Sequence, residues 1–161
     1  MATTKSTVVT NADADKQNKL FLAGGTLREI VATVEIAAAD SDNHEYRLAR
    51  VHSSWRISEI IRYNDAITSG ADFDVGLYTV DGGAVVDANL FADAISLTSA
   101  SVVGVRDQYE IEDIADAEKR IWEQLGLSTD PNLYYDLTYT GITVGSGAGT
   151  LTVHVRYVDG T

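Results

Sequence analysis

What most constrains this chain is apolar–polar alternation at strand period, recurring along most of its length. From Leu27, Arg28-Ile30-Ala32-Val34-Ile36 alternates with Glu29-Val31-Thr33-Glu35, giving one mostly apolar face and one mixed face. Tyr46 to Val51 reads as a second strand. Trp55-Ile57-Glu59-Ile61-Tyr63 alternates with Arg56-Ser58-Ile60-Arg62 as a third, and Phe73-Val75-Leu77 with Gly76-Tyr78-Val80 as a fourth. Tyr135-Leu137-Tyr139 and Leu151-Val153-Val155-Tyr157 repeat the pattern near the C-terminus. Turn chemistry separates these runs at Asp40-Ser41-Asp42-Asn43, Asn64-Asp65, Ser69-Gly70, Asp81-Gly82-Gly83 and Gly145–Gly149, with a break or bulge at His52-Ser53-Ser54. The pattern predicts a mainly β fold: an antiparallel β-sandwich, with a jelly roll as the preferred topology.

Two stretches depart from this period. Ile111, Ile114, Ala115, Ile121, Trp122 and Leu125 fall on one helical face, acids crowd the start, and Lys119 and Arg120 come later. This predicts one α-helix over about 107–125 in a long connection, stopped by Gly126 and followed by a surface loop over Leu127–Asn132. Asp87 to Asp93, carrying Leu90 and Phe91, reads as a shorter helix, and Ile95-Ser96-Leu97 as a brief strand. Residues 1–26 differ in composition, being polar and rich in Thr, Ala, Asn and Asp. They are expected to form an extended N-terminal arm whose apolar anchor is Leu20, Phe21 and Leu22, with residues 27–161 as a single β-sandwich domain.

Charge and composition narrow the function. Asp and Glu number 24 against 12 Lys and Arg, a net charge of -12, so nucleic acid and anionic membrane are not expected partners. The arm holds three lysines against two aspartates, a net of +1, which leaves -13 for residues 27–161. Absence of cysteine excludes disulfides, thiolate zinc sites and cysteine nucleophiles. No apolar stretch approaches the ~18 residues of a membrane span, and Met1 to Asn18 lacks the apolar core of a signal peptide.

The candidate chemical motifs read as structural. Gly145–Gly149 precedes a strand, not the helix a phosphate loop requires. Asp40-Ser41-Asp42-Asn43-His44-Glu45 offers oxygen ligands but lacks the glycine and glutamate of a calcium loop at positions six and twelve. His44, His52 and His154 have no metalloprotease spacing, and no nucleophile elbow surrounds Ser53 or Ser54. Glu29 and Glu35 share a strand face but lie ~20 Å apart, too far for a glycosidase pair. Trp55, Tyr63, Tyr134, Tyr135 and Tyr139 could line a sugar groove, although cross-strand packing is the commoner role of strand aromatics. The expectation is no catalytic residue, no cofactor and no metal.

The runs Leu27–Glu35 and Arg50–Ile57, with Asp74-Val75-Gly76-Leu77-Tyr78 and Gly83–Phe91, resemble small structural proteins of tailed bacteriophages, most of all the capsid decoration, or cement, proteins. The resemblance covers most of residues 27–158 in texture and element order. It implies a jelly-roll core and a homo-oligomer, a trimer ahead of a dimer. It further implies a non-enzymatic role on the outer capsid surface of the virion, bridging major capsid protein subunits after synthesis in the host cytoplasm. The expected partner contacts are Leu20, Phe21 and Leu22 of the arm, Asp40, Asp42 and His44, Gly82 and Gly83, and the Leu127–Asn132 loop. The alternatives are a head–tail connector or tail structural protein, and a carbohydrate-binding jelly-roll module.

Overall fold

In a computed structural model of the chain, residues 4–19, 22–68, 72–81, 83–107, 115–145 and 147–159 are described. Among the described residues eight strands form: β1 (Leu27–Ile36), β2 (Glu45–His52), β3 (Arg56–Asn64), β4 (Asp72–Thr79), β5 (Val85–Ser96), β6 (Ser101–Arg106), β7 (Tyr134–Thr143) and β8 (Gly149–Val158). They make two four-stranded antiparallel sheets, ordered β1-β8-β3-β6 and β2-β7-β4-β5. The pairs β1·β8, β2·β7, β3·β6 and β4·β5 are the rungs of one long antiparallel ribbon, folded so that its successive rungs alternate between the sheets. That winding is the jelly roll, and it accounts for an all-antiparallel sandwich in which most consecutive strands change sheet.

Alternation sets what each strand buries. Along β8, Leu151, Val153, Val155 and Tyr157 point inward, while His154 and Arg156 point out. The outer face of this sheet is laced by charge. Arg156 donates to Glu29 of β1 at 2.8 Å and to Glu59 of β3 at 2.6 Å, and Arg106 of β6 also reaches Glu59. The Arg156 hydrogen bond, with His154 beside it, holds Glu29 below the ordinary carboxylate range against the opposing effect of burial. Strand β7 is buried on both faces, because Arg50 and Arg47 fold over its Asp136, Arg50 Nε lying 2.9 Å from the carboxylate. The core is rich in aromatics: Phe73, Tyr78, Phe91 and Tyr139 are all sealed from solvent.

The expected helices give way to other structure. Asp87–Asp93 lies within β5, not in a helix. Pairing jumps from Val75↔Ala92 to Leu77↔Asp87, so a four-residue excursion of β5 faces Gly76 alone and delivers Phe91 to the core. Of the helix expected over 107–125, positions 108–114 lie outside the described residues. Asp107 continues the β6 ladder through its N–H to Ile60 O, Ala115–Glu118 is a turn, and only α2 (Ile121–Gln124) is helical. The physical reason is at Arg120, whose backbone is extended (φ -80°, ψ 165°). The N–H groups of Ile121 and Trp122 donate to Trp55 O and Ser53 O, partners that a through-running helix would replace. Gly126, at φ +71°, stops α2 as expected. Strand β6 itself was not anticipated.

Within residues 1–26, Thr7–Asp13 forms helix α1 and so is not extended. Ser6 caps it, and Asn18 folds back to close it, accepting from Asn11 Nδ2 and donating to Val8 O. Seven residues are too few for a helix to persist on propensity alone, and these local bonds supply the difference.

Candidate docking surface

Consecutive strands run in opposite senses, so their connections alternate between the two ends of the sandwich. The arm, the β2–β3 corner, the β4–β5 turn and the β6–β7 connection meet at one end. The β1–β2, β3–β4, β5–β6 and β7–β8 connections meet at the other. The sequence-derived contact residues therefore divide. Leu22, Gly83 and the Leu127–Asn132 loop share the arm end, whereas Asp40, Asp42 and His44 stand at the far end. Leu20, Phe21 and Gly82 lie outside the described residues.

The arm end is a stapled platform. Ser53, fully buried in the β2–β3 corner, donates through Oγ to Asp130 and accepts from Leu133 N at 3.1 Å, while its own N–H donates to Leu133 O at 2.9 Å. Asp130 Oδ1 accepts a further bond from Asn132 N at 2.9 Å. Burial pushes the Asp130 carboxyl up, but its bonds to Ser53 and Asn132 outweigh that and hold it below the ordinary aspartate value. Trp55 stacks on Tyr157 at 3.8 Å, and His52 meets Tyr134 edge-on at 4.7 Å. On this frame large apolar side chains stay in solvent: Leu27, Leu127, Leu133 (53% exposed), Tyr134 (54%) and Val85. Beside them is a shallow cleft of about 370 Å³, bordered by Arg50, Val80, Asp81, Leu133 and Tyr134. Leu133 and Val85 were missed in the sequence, where Tyr134 was considered only for a sugar groove. The signal for Leu133 was its place beside Tyr134 at the mouth of β7, ahead of the buried run that begins at Tyr135.

Ser53→Ala is expected to lower stability by about 1–3 kcal/mol, since it removes the buried hydroxyl that bonds both the Asp130 carboxylate and Leu133 N–H, and urea denaturation reads the loss. Asp130, with its folded pKa depressed, contributes stability above its unfolded value that is lost as pH falls through the folded one. The Ser53→Ala deficit should therefore shrink in acid.

At the far end the acids serve the turn. Asp40 Oδ2 accepts from Ala37 N and Tyr46 OH, and Asp42 Oδ1 accepts from Val144 N at 3.0 Å, pinning the β1–β2 turn to the end of β7. Among the described residues no group of three or more His, Asp or Glu gathers to hold a metal ion. His52 Nδ1 lies 2.8 Å from Ser54 Oγ, yet the same nitrogen accepts from Ser54 N, and Asp130 bonds Ser53 instead, so the three do not form a relay. Of the five aromatics considered for a sugar groove, only Tyr134 is exposed; Tyr135 and Tyr139 are buried, and Trp55 is stacked on Tyr157. Exposed apolar area on a braced end suits docking to another protein.

No protein-family model matches the chain, and no curated protein matches it. Among solved structures, it resembles a chain of the capsid of Ralstonia phage GP4 at 15% identity, covering 85% of this chain and 86% of that one, with a TM-score of 0.58. A looser overlay relates it to a chain of the cyanophage Pam1 capsid asymmetric unit, at 10% identity, 83% and 85% coverage and a TM-score of 0.42. At such identity the likeness to the GP4 chain is one of fold: this chain has the β-sandwich of a protein found in a phage capsid.

Proposed function

We propose that this chain is a virion structural protein that decorates a tailed-phage capsid and stabilises it by bridging major capsid protein subunits. The observation that carries the reading is the arm end. A separate arm with its own capped helix leaves the sandwich where Leu27, Leu127, Leu133, Tyr134 and Val85 are exposed. The fold shared with a chain of a phage capsid supports it. The arm and the apolar end hold neighbouring shell subunits together, and many copies on one shell turn weak single contacts into firm attachment. An acidic exterior keeps a protein made in high copy number soluble.

Gradient sedimentation of a producing-host lysate, with copies counted per major capsid subunit, tests the role. On the order of hundreds of copies on DNA-filled heads are expected through such multivalent attachment; a few copies would move the chain to the connector or tail, and none would overturn the reading. Deleting residues 1–22 is expected to abolish shell binding while lowering the unfolding free energy by no more than about 1 kcal/mol, as loss of exposed ion pairs does. Unchanged binding by that truncation removes the arm from the mechanism.

A further inference from the structure

The cleft beside Tyr134 has two chemically distinct sides. Leu133, Tyr134 and Val80 make the apolar one, the first two more than half exposed. Thr79 pairs with Tyr135 at the end of the β4–β7 ladder, which brings Val80 beside Tyr134, and Tyr135, almost wholly buried, completes the lining. Tyr134 is braced: its ring meets His52 edge-on, while its hydroxyl makes no hydrogen bond among the described residues. An exposed aromatic ring that is already fixed loses little freedom when a partner covers it.

The polar side is acidic. Arg50 is committed to Asp136, through Nε at 2.9 Å and Nη2 at 3.4 Å, and Arg47 to Glu45 at 2.9 Å. Asp81, exposed in the β4–β5 turn, acts on Arg50 through space, but no donor bonds its carboxylate among the described residues. Arg47 and Arg50 thus face three acids, Glu45, Asp136 and Asp81, and the uncommitted carboxylate is the one on the rim of the cleft.

We propose that this cleft is a socket for a short segment of another protein, an apolar side chain seated against Leu133, Tyr134 and Val80 with a lysine or arginine within two positions of it facing Asp81. The socket rests on the arm end being the docking surface of the capsid reading, and it gives that surface its selectivity. Charge chooses the occupant. A basic neighbour gains the local contact with Asp81 and the long-range pull of a molecule at net charge -12, whereas a second copy of this chain is repelled. The apolar walls supply most of the affinity, and the rim acid supplies the discrimination.

Four acetylated, amidated peptides test this against isotope-labelled full-length protein by NMR titration: Gly-Phe-Gly-Lys-Gly, Gly-Phe-Gly-Glu-Gly, Gly-Ser-Gly-Lys-Gly and Gly-Ser-Gly-Glu-Gly. The Phe–Lys peptide is expected to shift the amides of Asp81, Leu133 and Tyr134, and to bind about fivefold tighter than Phe–Glu, the scale of exposed charge pairs. Both Ser peptides should bind about tenfold more weakly than their Phe counterparts. Tyr134→Ala should weaken the Phe–Lys peptide by about tenfold. Asp81→Asn should bring the Lys and Glu peptides level while keeping the preference for Phe. Both replaced side chains are exposed, and unchanged circular dichroism spectra show the fold intact. Equal affinity of the unaltered chain for the Lys and Glu peptides, shifts gathered elsewhere on the sandwich, or no shift at all would each overturn the socket. So would shifts of the same amides on concentrating the protein alone, which would mean that a second copy fills the cleft. The peptides meet the isolated chain, whereas the capsid reading is tested on heads, so either can fail without the other.

Discussion

Asp107→Ala is expected to destabilise the fold by about 3–5 kcal/mol, as removal of one partner from a buried ion pair does elsewhere. Asp107 is 1% exposed where β6 ends, and Arg62, on the inner face of β3, is 6% exposed. Arg62 Nε donates to Asp107 Oδ2 at 2.8 Å, Tyr139 OH donates to the same oxygen at 2.8 Å, and Arg62 Nη1 also donates to Asn64 Oδ1. Alanine leaves a guanidinium and a tyrosine hydroxyl in the core without their acceptor. Equilibrium urea unfolding reads the loss. The double replacement Arg62→Met with Asp107→Leu should recover most of it, because two well-packed apolar side chains remove the desolvation cost of both charges. What remains, about 1 kcal/mol, is the orphaned Tyr139 hydroxyl. A double variant no better than the single one would mean that shape at this site outweighs charge.

The same carboxyl has a signature in pH. Burial pushes Asp107 above the ordinary aspartate range, and Arg62 and Tyr139 draw it only partly back. An acid with a raised folded pKa holds its proton more tightly in the native state, so its contribution is fully present in acid and declines as pH rises through the window between the unfolded and folded values. The stability advantage of the native chain over Asp107→Asn should therefore narrow from acid toward neutral pH. A gap that widens instead would show Arg62 to outweigh burial.

Much of this architecture was legible because strands declare themselves locally. Alternation through Leu27–Ile36 and Leu151–Tyr157 is imposed by a two-residue repeat, and both runs form strands over nearly the expected residues. Helical spacing was less faithful. Ile121, Trp122 and Leu125 suit one face of a helix, but whether their N–H groups bond to preceding carbonyls or to the distant corner at Ser53 and Trp55 depends on contacts some 65 residues away in sequence. The Asp87–Asp93 segment misled for a related reason. Leu90 and Phe91 break strand alternation because β5 bulges there, and a bulge interrupts the period by which strands are recognised. The missing β6 mattered most to the docking surface. Strand direction alternates, so each omitted strand transfers every later loop to the opposite end. Only with β6 counted does Leu127–Asn132 join Gly83 and the arm.

Gly76→Ala is the second large effect, and space rather than backbone angle decides it. A Cβ at Gly76 would lie 2.1 Å from Asp87 O and 2.3 Å from both Ala88 C and Ala88 O. These are main-chain atoms of the β5 excursion, so no side chain can swing aside. Relief requires β5 to lift from β4, withdrawing Phe91 from a core in which it is wholly buried. Overpacking of a side chain costs about 1–3 kcal/mol and occasionally more, and a backbone obstacle places this substitution at or above the upper end. Gly126→Ala supplies the contrast. Its φ of +71° strains any Cβ, yet nothing stands within 4 Å of the site, so the cost should stay near the 1–2 kcal/mol of a lone left-handed residue. Unfolding midpoints of the two variants separate steric from conformational cost, and amide hydrogen exchange locates the damage. Faster exchange confined to β5 in Gly76→Ala is expected. Exchange rising evenly over both sheets would mean that the excursion is bound into the sandwich as firmly as its central strands.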